Sequence, residues 1–287
     1  MYPPKFDYVR ANSVSEAISL LQENDGASLL AGGHSLLPLL KLRLASPSIL
    51  VDIGRIDTLE GIGPRRDGSY SIGALTTHAT VAASRGLPQV LTEAAGWIGD
   101  PQVRNRGTVG GNVAHADPAS DLPTVFTALG ATVHIQGSDG TRRVDANDFC
   151  TDLFTTDLNE NEIVTEITVP AAEGRTGSAY AKMFNPASRY AMLGAAAVLT
   201  LDNGRCKSAR VAVGSLTPAP MRARSVEAAL EGKALDESTI EAAARAVLDD
   251  LGDDLLGDIH ASAEYRRKTA PAFVRRALTK AAERARG

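Results

Sequence analysis

Cysteine is nearly missing: 287 residues hold two, Cys150 and Cys206, and neither belongs to a C-x-x-C pair. A disulfide framework is thereby excluded, and two thiols are too few for a common iron–sulfur cluster. Both are expected as small buried or half-buried thiols. The five histidines, His34, His78, His115, His134 and His260, form no H-x-x-x-H or H-E-x-x-H pattern, so no metal site is predicted. No apolar run approaches the roughly 20 residues of a membrane-spanning helix. The opening M-Y-P-P-K-F-D-Y lacks the basic segment and apolar stretch of a secretory signal. A cytoplasmic location is the expectation. Strong charge is missing too: the net charge of -4 gives no pull toward nucleic acid or an anionic surface. Finally, no G-x-G-x-x-G opens a βαβ unit and no G-x-x-x-x-G-K-[ST] occurs, which argues against a Rossmann or P-loop fold.

What is present is ordinary soluble-protein composition, 44% hydrophobic and 22% charged, in a chain long enough for two domains with a substantial core. Helix and strand signals alternate in the first half. Ser13-Val14-Ser15-Glu16 looks like a capping box, followed by an amphipathic run. Short strands are expected at 28–31, 49–53, 70–72, 131–135 and 163–169. Helices are expected at 77–84, 87–98 and 122–129, with a short one interrupted near Pro38. The stretch 99–112 is polar and glycine-rich. The second half shows three strands, 179–184, 195–201 and 209–216, with Asp202-Asn203-Gly204 as a hairpin signal between the last two. Helices at 225–231, 237–250 and from 262 to the end follow. This pattern of strands then helices predicts a separate α+β domain.

Two glycine pairs carry the functional signal: A-G-G-H-S at residues 31–35 and T-V-G-G-N at 108–112. Glycine lets backbone N–H groups converge, because no Cβ blocks close approach. Converging N–H groups make a concave anion site, and a following helix adds donors and partial positive charge. Ser35, Thr108 and Asn112 bring short side chains able to donate to phosphate oxygens. One Gly-Gly pair is most often only a turn. Two with matched neighbours make a shared phosphate-rich ligand an even alternative.

The longer motifs are more specific. A-G-G-H-S-L-L-P-L-L-K-L-R-L-A-S-P followed by L-V-D-I, and I-G-D-P-Q-V-R-N-R-G-T-V-G-G-N-V-A-H-A-D-P-A-S-D-L-P, resemble the FAD-binding medium subunit of carbon monoxide dehydrogenase and its relatives among the molybdenum hydroxylases. The xanthine dehydrogenase flavin domain belongs to the same superfamily. The resemblance covers nearly the whole chain. It implies an α+β architecture: a two-subdomain FAD-binding fold of the vanillyl-alcohol oxidase type over 1–175, with subdomains of about 1–55 and 56–175. A C-terminal α+β flavoprotein domain over 176–287 would follow, with a three-stranded antiparallel sheet plus helices.

By the same resemblance, FAD would lie between the subdomains. Ala31, Gly32, Gly33, His34 and Ser35 match the first pyrophosphate loop, and Thr108, Gly110, Gly111 and Asn112 the second. Asp121 matches an acidic position that contacts the cofactor, and Ile163 and Val164 a strand end on the adenine side. Lys182 matches a basic residue near the flavin ring, and Tyr190 an aromatic residue that packs on the isoalloxazine. The implied partners are a large subunit with a molybdenum–cytosine dinucleotide cofactor and a small subunit with two [2Fe–2S] clusters, assembled as a dimer of heterotrimers, or heterohexamer. The chain would be a flavoprotein oxidoreductase subunit that passes electrons from the clusters to an external acceptor. Peripheral association with the inner face of the membrane is compatible with this. The flavin subunit of a related aldehyde or N-heterocycle dehydrogenase, a free-standing flavin oxidase or reductase, and a cofactor-free assembly subunit are the other readings.

Taken singly, these residues have plainer explanations. Asp121 suits a helix cap before Leu122. Lys182 suits a solvated strand position. Tyr190 suits a partly buried strand start. Arg104 and Arg106 read equally as a solvated pair or as contacts to phosphate or a partner. Arg266, Arg267, Lys268, Arg275 and Arg276 read most simply as a solvated basic face, with an interface to an acidic subunit as the alternative.

Overall fold

The structure, a computed structural model, describes residues 2–287. Its first lobe is a three-stranded parallel sheet. Strands β1 (Asp7–Arg10), β2 (Ser28–Leu30) and β3 (Ile49–Asp52) lie in the order β1-β3-β2 and are joined through helices α1 (Val14–Glu23) and α2 (Leu36–Leu42). The capping signal forms as read: Ser13 Oγ accepts from the Glu16 N–H at 3.1 Å, and the Glu16 carboxylate accepts from the Asn12 N–H at 2.7 Å. Helix α2 is not interrupted at Pro38. The proline occupies the first turn, where its missing N–H has no helical partner to lose. All three strands run the same way, so β2 delivers Ala31-Gly32-Gly33 to the carboxyl edge of this sheet.

The second lobe contains β4 (Ile62–Pro64), β5 (Tyr70–Gly73), α3 (His78–Ala83), α4 (Gln89–Trp97), α5 (Pro101–Arg104), α6 (Val109–His115), α7 (Asp121–Leu129), β6 (Thr132–Gly137), β7 (Gly140–Asp145), α8 (Ala146–Phe149), β8 (Cys150–Asp152), β9 (Thr155–Thr156) and β10 (Ile163–Val169). Five of the strands make an antiparallel sheet in the order β4-β5-β10-β6-β7. Its core is large side chains such as Leu91, Leu122, Phe126, Ile135, Phe149 and Ile167. The polar, glycine-rich stretch 99–112 contains two helix starts that its composition does not reveal. Asp100 Oδ1 accepts from the Val103 N–H at 2.8 Å and Thr108 Oγ1 from the Gly111 N–H at 3.2 Å, and these two caps start the short helices α5 and α6.

The C-terminal domain carries β11 (Arg175–Phe184), β12 (Ala191–Asp202), β13 (Arg205–Gly214) and β14 (Met221–Arg222), then α9 (Arg224–Leu230), α10 (Glu237–Arg245), α11 (Val247–Asp250) and α12 (Ala263–Arg286). Its antiparallel sheet has four strands, not three. The fourth pairs with β13 through only Ala212↔Arg222 and Val213↔Met221, too short for any alternation to reveal it. Asn203 and Gly204 both have positive φ, 48° and 76°, the requirement of a two-residue hairpin turn. The helix expected over 237–250 breaks at Ala246 into two.

Alternation along β12 explains how the domain attaches. Leu193, Ala195, Ala197 and Leu199 enter the C-terminal core, whereas Ala196 between them enters the core of the second lobe. Small residues allow close approach on both sides; a Cβ at Gly177 would lie 2.1 Å from the Ala281 carbonyl oxygen of α12. Arg266 leaves the expected solvated basic face. It is buried and donates to the Ser215 carbonyl at 2.6 Å and to Asp258, while Lys268, Arg275 and Arg276 are exposed. Cys150 and Cys206 are free and buried. Among the described residues, no helix is long and apolar enough to cross a membrane.

Candidate functional site

The two glycine loops meet at the joint between the lobes. A Cβ on Gly32 would lie 2.0 Å from the Arg106 carbonyl oxygen and 3.1 Å from Gly107 Cα, so the first loop rests on the backbone that enters the second. A Cβ on Gly111 would come within 3.9 Å of Ala31 Cβ, and Gly33 needs its freedom for φ +75°. Gly110 is glycine for another reason: its N–H donates to the Ala74 carbonyl at 2.8 Å, and a side chain there would strike Ala74. The pairs are therefore not equivalent. Gly32 and Gly110 join backbones, Gly33 takes a left-handed turn packed against Leu37, and Gly111 leaves a gap toward Ala31.

Donor accounting separates the loops further. No hydrogen bond within the described residues uses the N–H groups of Gly32, Gly33, His34 or Ser35. In the second loop the N–H groups of Val109, Gly110, Gly111 and Asn112 are already engaged by Thr76, Ala74 and Thr108. Asn112 donates through Nδ2 to Ser120 Oγ at 3.1 Å and leaves its buried Oδ1 without a partner. A row of unpaired donors beside a second glycine loop suits an anion such as pyrophosphate, and an unpaired amide oxygen suits a hydroxyl.

Beneath this joint lies His78, which the sequence reading left without a role. Its N–H donates to the Gly107 carbonyl at 3.0 Å and its ring abuts Gly107. It is 3% exposed and its Nδ1 has no partner. Burial, then the nearby His34 and Arg104, pushes its pKa down to about 4. Arg104 is held locally, donating to the Ile98 and Gly99 carbonyls at 2.9 and 3.0 Å.

A second polar cluster lies where α7 meets β11. Asp121 Oδ2 accepts from Lys182 Nζ at 2.7 Å, and its Oδ1 accepts from the Tyr180 hydroxyl at 2.6 Å. Lys182 also donates to the Trp97 carbonyl at 3.3 Å. Burial pushes Asp121 up and Lys182 down, and their mutual attraction opposes both shifts. With a phenol donor on the carboxylate, the ion pair is the stable form. The plainer reading of Lys182 as a solvated strand charge therefore fails, because its side chain is 1% exposed. Asp121 is the first residue of α7 and caps no N–H; Ser120 stands at the cap. The cluster joins the second loop through Asn112 and Ser120, residues on either side of the turn before α7.

Tyr190 is half exposed, at the end of a turn in which Arg189 has φ 62°. Burial and the charges of Asp117 and Asp121 raise its hydroxyl pKa. Trp97, also partly exposed, packs on Phe184 with ring centroids 5.4 Å apart. Ile163 and Val164 differ from this pattern. Ile163 enters the core of the first lobe and Val164 that of the second, so what they leave for a ligand is backbone. Nothing local marks Tyr180 or His78 in the sequence: Tyr180 lies inside a run that reads as strand, and His78 opens one that reads as helix. Gly194, across from Lys182 on the neighbouring strand, leaves the space the phenol fills: a Cβ there would sit 2.3 Å from the Tyr180 hydroxyl oxygen.

Comparison with known proteins agrees with this geometry. The model of the FAD binding domain in molybdopterin dehydrogenase matches residues 4–172, and that of the CO dehydrogenase flavoprotein C-terminal domain matches 178–281. The carbon monoxide dehydrogenase medium chain of Hydrogenophaga pseudoflava is 41% identical, over 98% of each chain. The 6-hydroxypseudooxynicotine dehydrogenase complex subunit alpha of Paenarthrobacter nicotinovorans is 40% identical, over 100% of this chain and 97% of its own. The solved carbon monoxide dehydrogenase from Hydrogenophaga pseudoflava, a form lacking the Mo-pyranopterin moiety, superposes with a TM-score of 0.94 at 40% identity, over 99% of each chain. The chain belongs to the FAD-binding flavoprotein family of the molybdopterin dehydrogenases, and within it is a medium subunit of the carbon monoxide dehydrogenase type.

Proposed function

We propose that this chain holds FAD across the joint of its two lobes and relays electrons from the [2Fe–2S] clusters of a small partner subunit to an external acceptor. The observation that carries this is the meeting of two glycine loops, one presenting four consecutive N–H groups with no partner among the described residues. FAD, when bound, supplies one- and two-electron exchange, which suits a relay between clusters and an acceptor. The first loop, Ala31 to Ser35, would bind the pyrophosphate through backbone donors. Thr108, Gly110, Gly111 and Asn112 would close it from the other side, with Asn112 Oδ1 accepting from a hydroxyl. The backbone of Ile163 and Val164 would border the adenine. Asp121, Lys182 and Tyr190 would surround the ring, with Tyr190 covering its face and excluding water.

Substrate oxidation belongs, on this reading, to a large molybdenum-cofactor subunit, and the assembly is a dimer of heterotrimers. The division of labour follows residues 1–175 for FAD binding and 176–287 for the C-terminal flavoprotein domain. Nearly equal identity to a carbon monoxide dehydrogenase chain and to a 6-hydroxypseudooxynicotine dehydrogenase subunit supports a sequence fitted to flavin and assembly more than to substrate. It also keeps a second reading in play, the flavin subunit of an aldehyde or N-heterocycle dehydrogenase.

The test is a visible absorption spectrum of the chain purified alone and with its partner subunits, followed by separation of the released flavin. Near-stoichiometric FAD in either preparation is the expected result. FMN, or no flavin in both, overturns the proposal. Reduction of the flavin on adding substrate to the whole complex, and no reduction in the isolated chain, would place the oxidation on the partner.

A further inference from the structure

The polar cluster beside β11 is more elaborate than an isolated cation near a flavin requires. Asp121 is fully enclosed and has two donors, one per oxygen: Lys182 Nζ at 2.7 Å and the Tyr180 hydroxyl at 2.6 Å. Tyr180 is itself fixed at both ends. Its N–H donates to Glu93 Oε2 at 3.2 Å, and Glu93 is gripped by Lys280 and Arg284 of α12. Its phenol occupies space that only glycine at position 194 leaves open, since a Cβ there would lie 2.3 Å from the hydroxyl oxygen. A buried ion pair is costly to form and is retained where its geometry is enforced by further hydrogen bonds. Here the enforcing donor comes from the C-terminal domain, the strand that also supplies Lys182.

We propose that Tyr180 is a positioning residue: its hydroxyl orients Asp121, and the oriented Asp121–Lys182 pair, not Lys182 alone, sets the electrostatic field at the flavin ring. The proposal rests on the reading above that the ring lies beside Lys182. The chemistry follows from charge. An unpaired lysine would present a full positive charge and favour the electron-rich reduced ring. Paired with Asp121 it presents a dipole. The Tyr180 hydroxyl keeps the negative end of that dipole on the carboxylate. Without it, Asp121 takes up a proton more readily and Lys182 is left less compensated. The charged and titratable groups around the cluster are Tyr180 and Lys182 on β11, Arg189 and Tyr190 on the following turn, Asp117 before α7 and Glu93 on α4.

The experiment is a redox titration of the flavin in the assembled complex between pH 6 and 8, for wild type, Tyr180→Phe, Gly194→Ala and Lys182→Gln. Tyr180→Phe removes the donor without changing shape, and Gly194→Ala pushes the phenol off Asp121 from the other side, so either variant suffices if one does not fold. Expected is a higher midpoint potential in both, with a gap from wild type that widens as pH falls, and a lower potential in Lys182→Gln. If Lys182→Gln shifts the potential while Tyr180→Phe and Gly194→Ala match wild type at every pH, the role of Tyr180 is refuted. If Lys182→Gln leaves the potential unchanged, the placement of the ring beside Lys182 is wrong and the inference falls with it.

Discussion

Gly32 rests directly on the carbonyl group of Arg106: a Cβ at Gly32 would stand 2.0 Å from that oxygen. The contact ties the edge of the parallel sheet to the entry of the second glycine loop, seventy-four residues later in the chain. Gly32→Ala therefore forces two backbones apart. The expected cost is about 1–3 kcal/mol of stability, typical of overpacking against atoms that cannot yield, together with loss of most bound FAD. Thermal unfolding and the flavin-to-protein ratio measure the two effects. A variant that keeps both wild-type stability and full flavin would contradict the contact.

Gly111 gives the opposite combination. It lies in the exposed first turn of α6, where a Cβ meets only the capping Thr108 Oγ1 at 2.8 Å and approaches Ala31. Alanine favours a helix over glycine by about 0.5–1 kcal/mol, and the small shift it forces on the capping Thr108 hydroxyl offsets that gain, so Gly111→Ala should change apoprotein stability by less than about 1 kcal/mol. The added methyl fills the gap between the loops, and FAD affinity should fall by roughly tenfold or more, an estimate from one misplaced contact of about 1.4 kcal/mol. Titration of apoprotein with FAD, set beside a urea denaturation curve, separates the two. Unchanged affinity would mean that the gap is not part of the cofactor site.

These two glycines show how far the sequence could be read. Both pairs were recognisable as loops, and long flanking motifs made their kinship specific. Which glycine joins backbone and which leaves room was not legible, because that depends on Arg106 and Ala74, residues whose proximity only the fold creates. Strands with strong periodicity, such as Ile163–Val169, were visible. The two-residue β14 and the four-residue β1, with its mostly exposed side chains, carried no pattern to read. Lys182 and Asp121 were each singled out, but not as partners. Sixty-one residues separate them, and nothing in either local sequence announces a buried ion pair.

His78 makes the joint sensitive to acid. Its folded pKa, about 4, lies below the ordinary 6.5. The unfolded chain therefore binds the proton first, and the stability contributed by the neutral ring is complete above pH 6.5. It declines as pH falls from 6.5 toward 4 and is fully lost below. The linkage amounts to about 2 kcal/mol by pH 5 and about 3 kcal/mol at the lower limit. His78→Gln cannot titrate, so the difference between its unfolding free energies at pH 7.5 and pH 5 should be smaller than that of wild type by about this amount. Equal acid sensitivity in the two proteins would assign the effect to other groups.

Glu93 is the other place where one side chain holds separate parts together. It sits on α4, accepts from Lys280 Nζ at 2.5 Å and from Arg284 NH1 at 2.9 Å on α12, and receives the Tyr180 N–H of β11. Burial acts to raise its pKa, but Arg284, Lys280 and the Tyr180 N–H together hold it below the usual carboxylate value. A carboxylate with a depressed folded pKa stabilises at neutral pH, and that contribution is lost as pH falls through the folded value. Glu93→Gln keeps the shape and removes the charge. Leaving two cations facing a neutral amide in a partly buried site should cost about 1–3 kcal/mol, less than a fully buried pair because water still reaches it. The loss should be local first, since the last turns of α12 depend on this contact to remain on β11. Hydrogen exchange at residues 280–286 should accelerate by more than the global stability change accounts for. Uniform acceleration across both lobes and the C-terminal domain would mean that Glu93 contributes to overall stability without anchoring the helix, and the link from α12 through Tyr180 to Asp121 would then lose its mechanical basis.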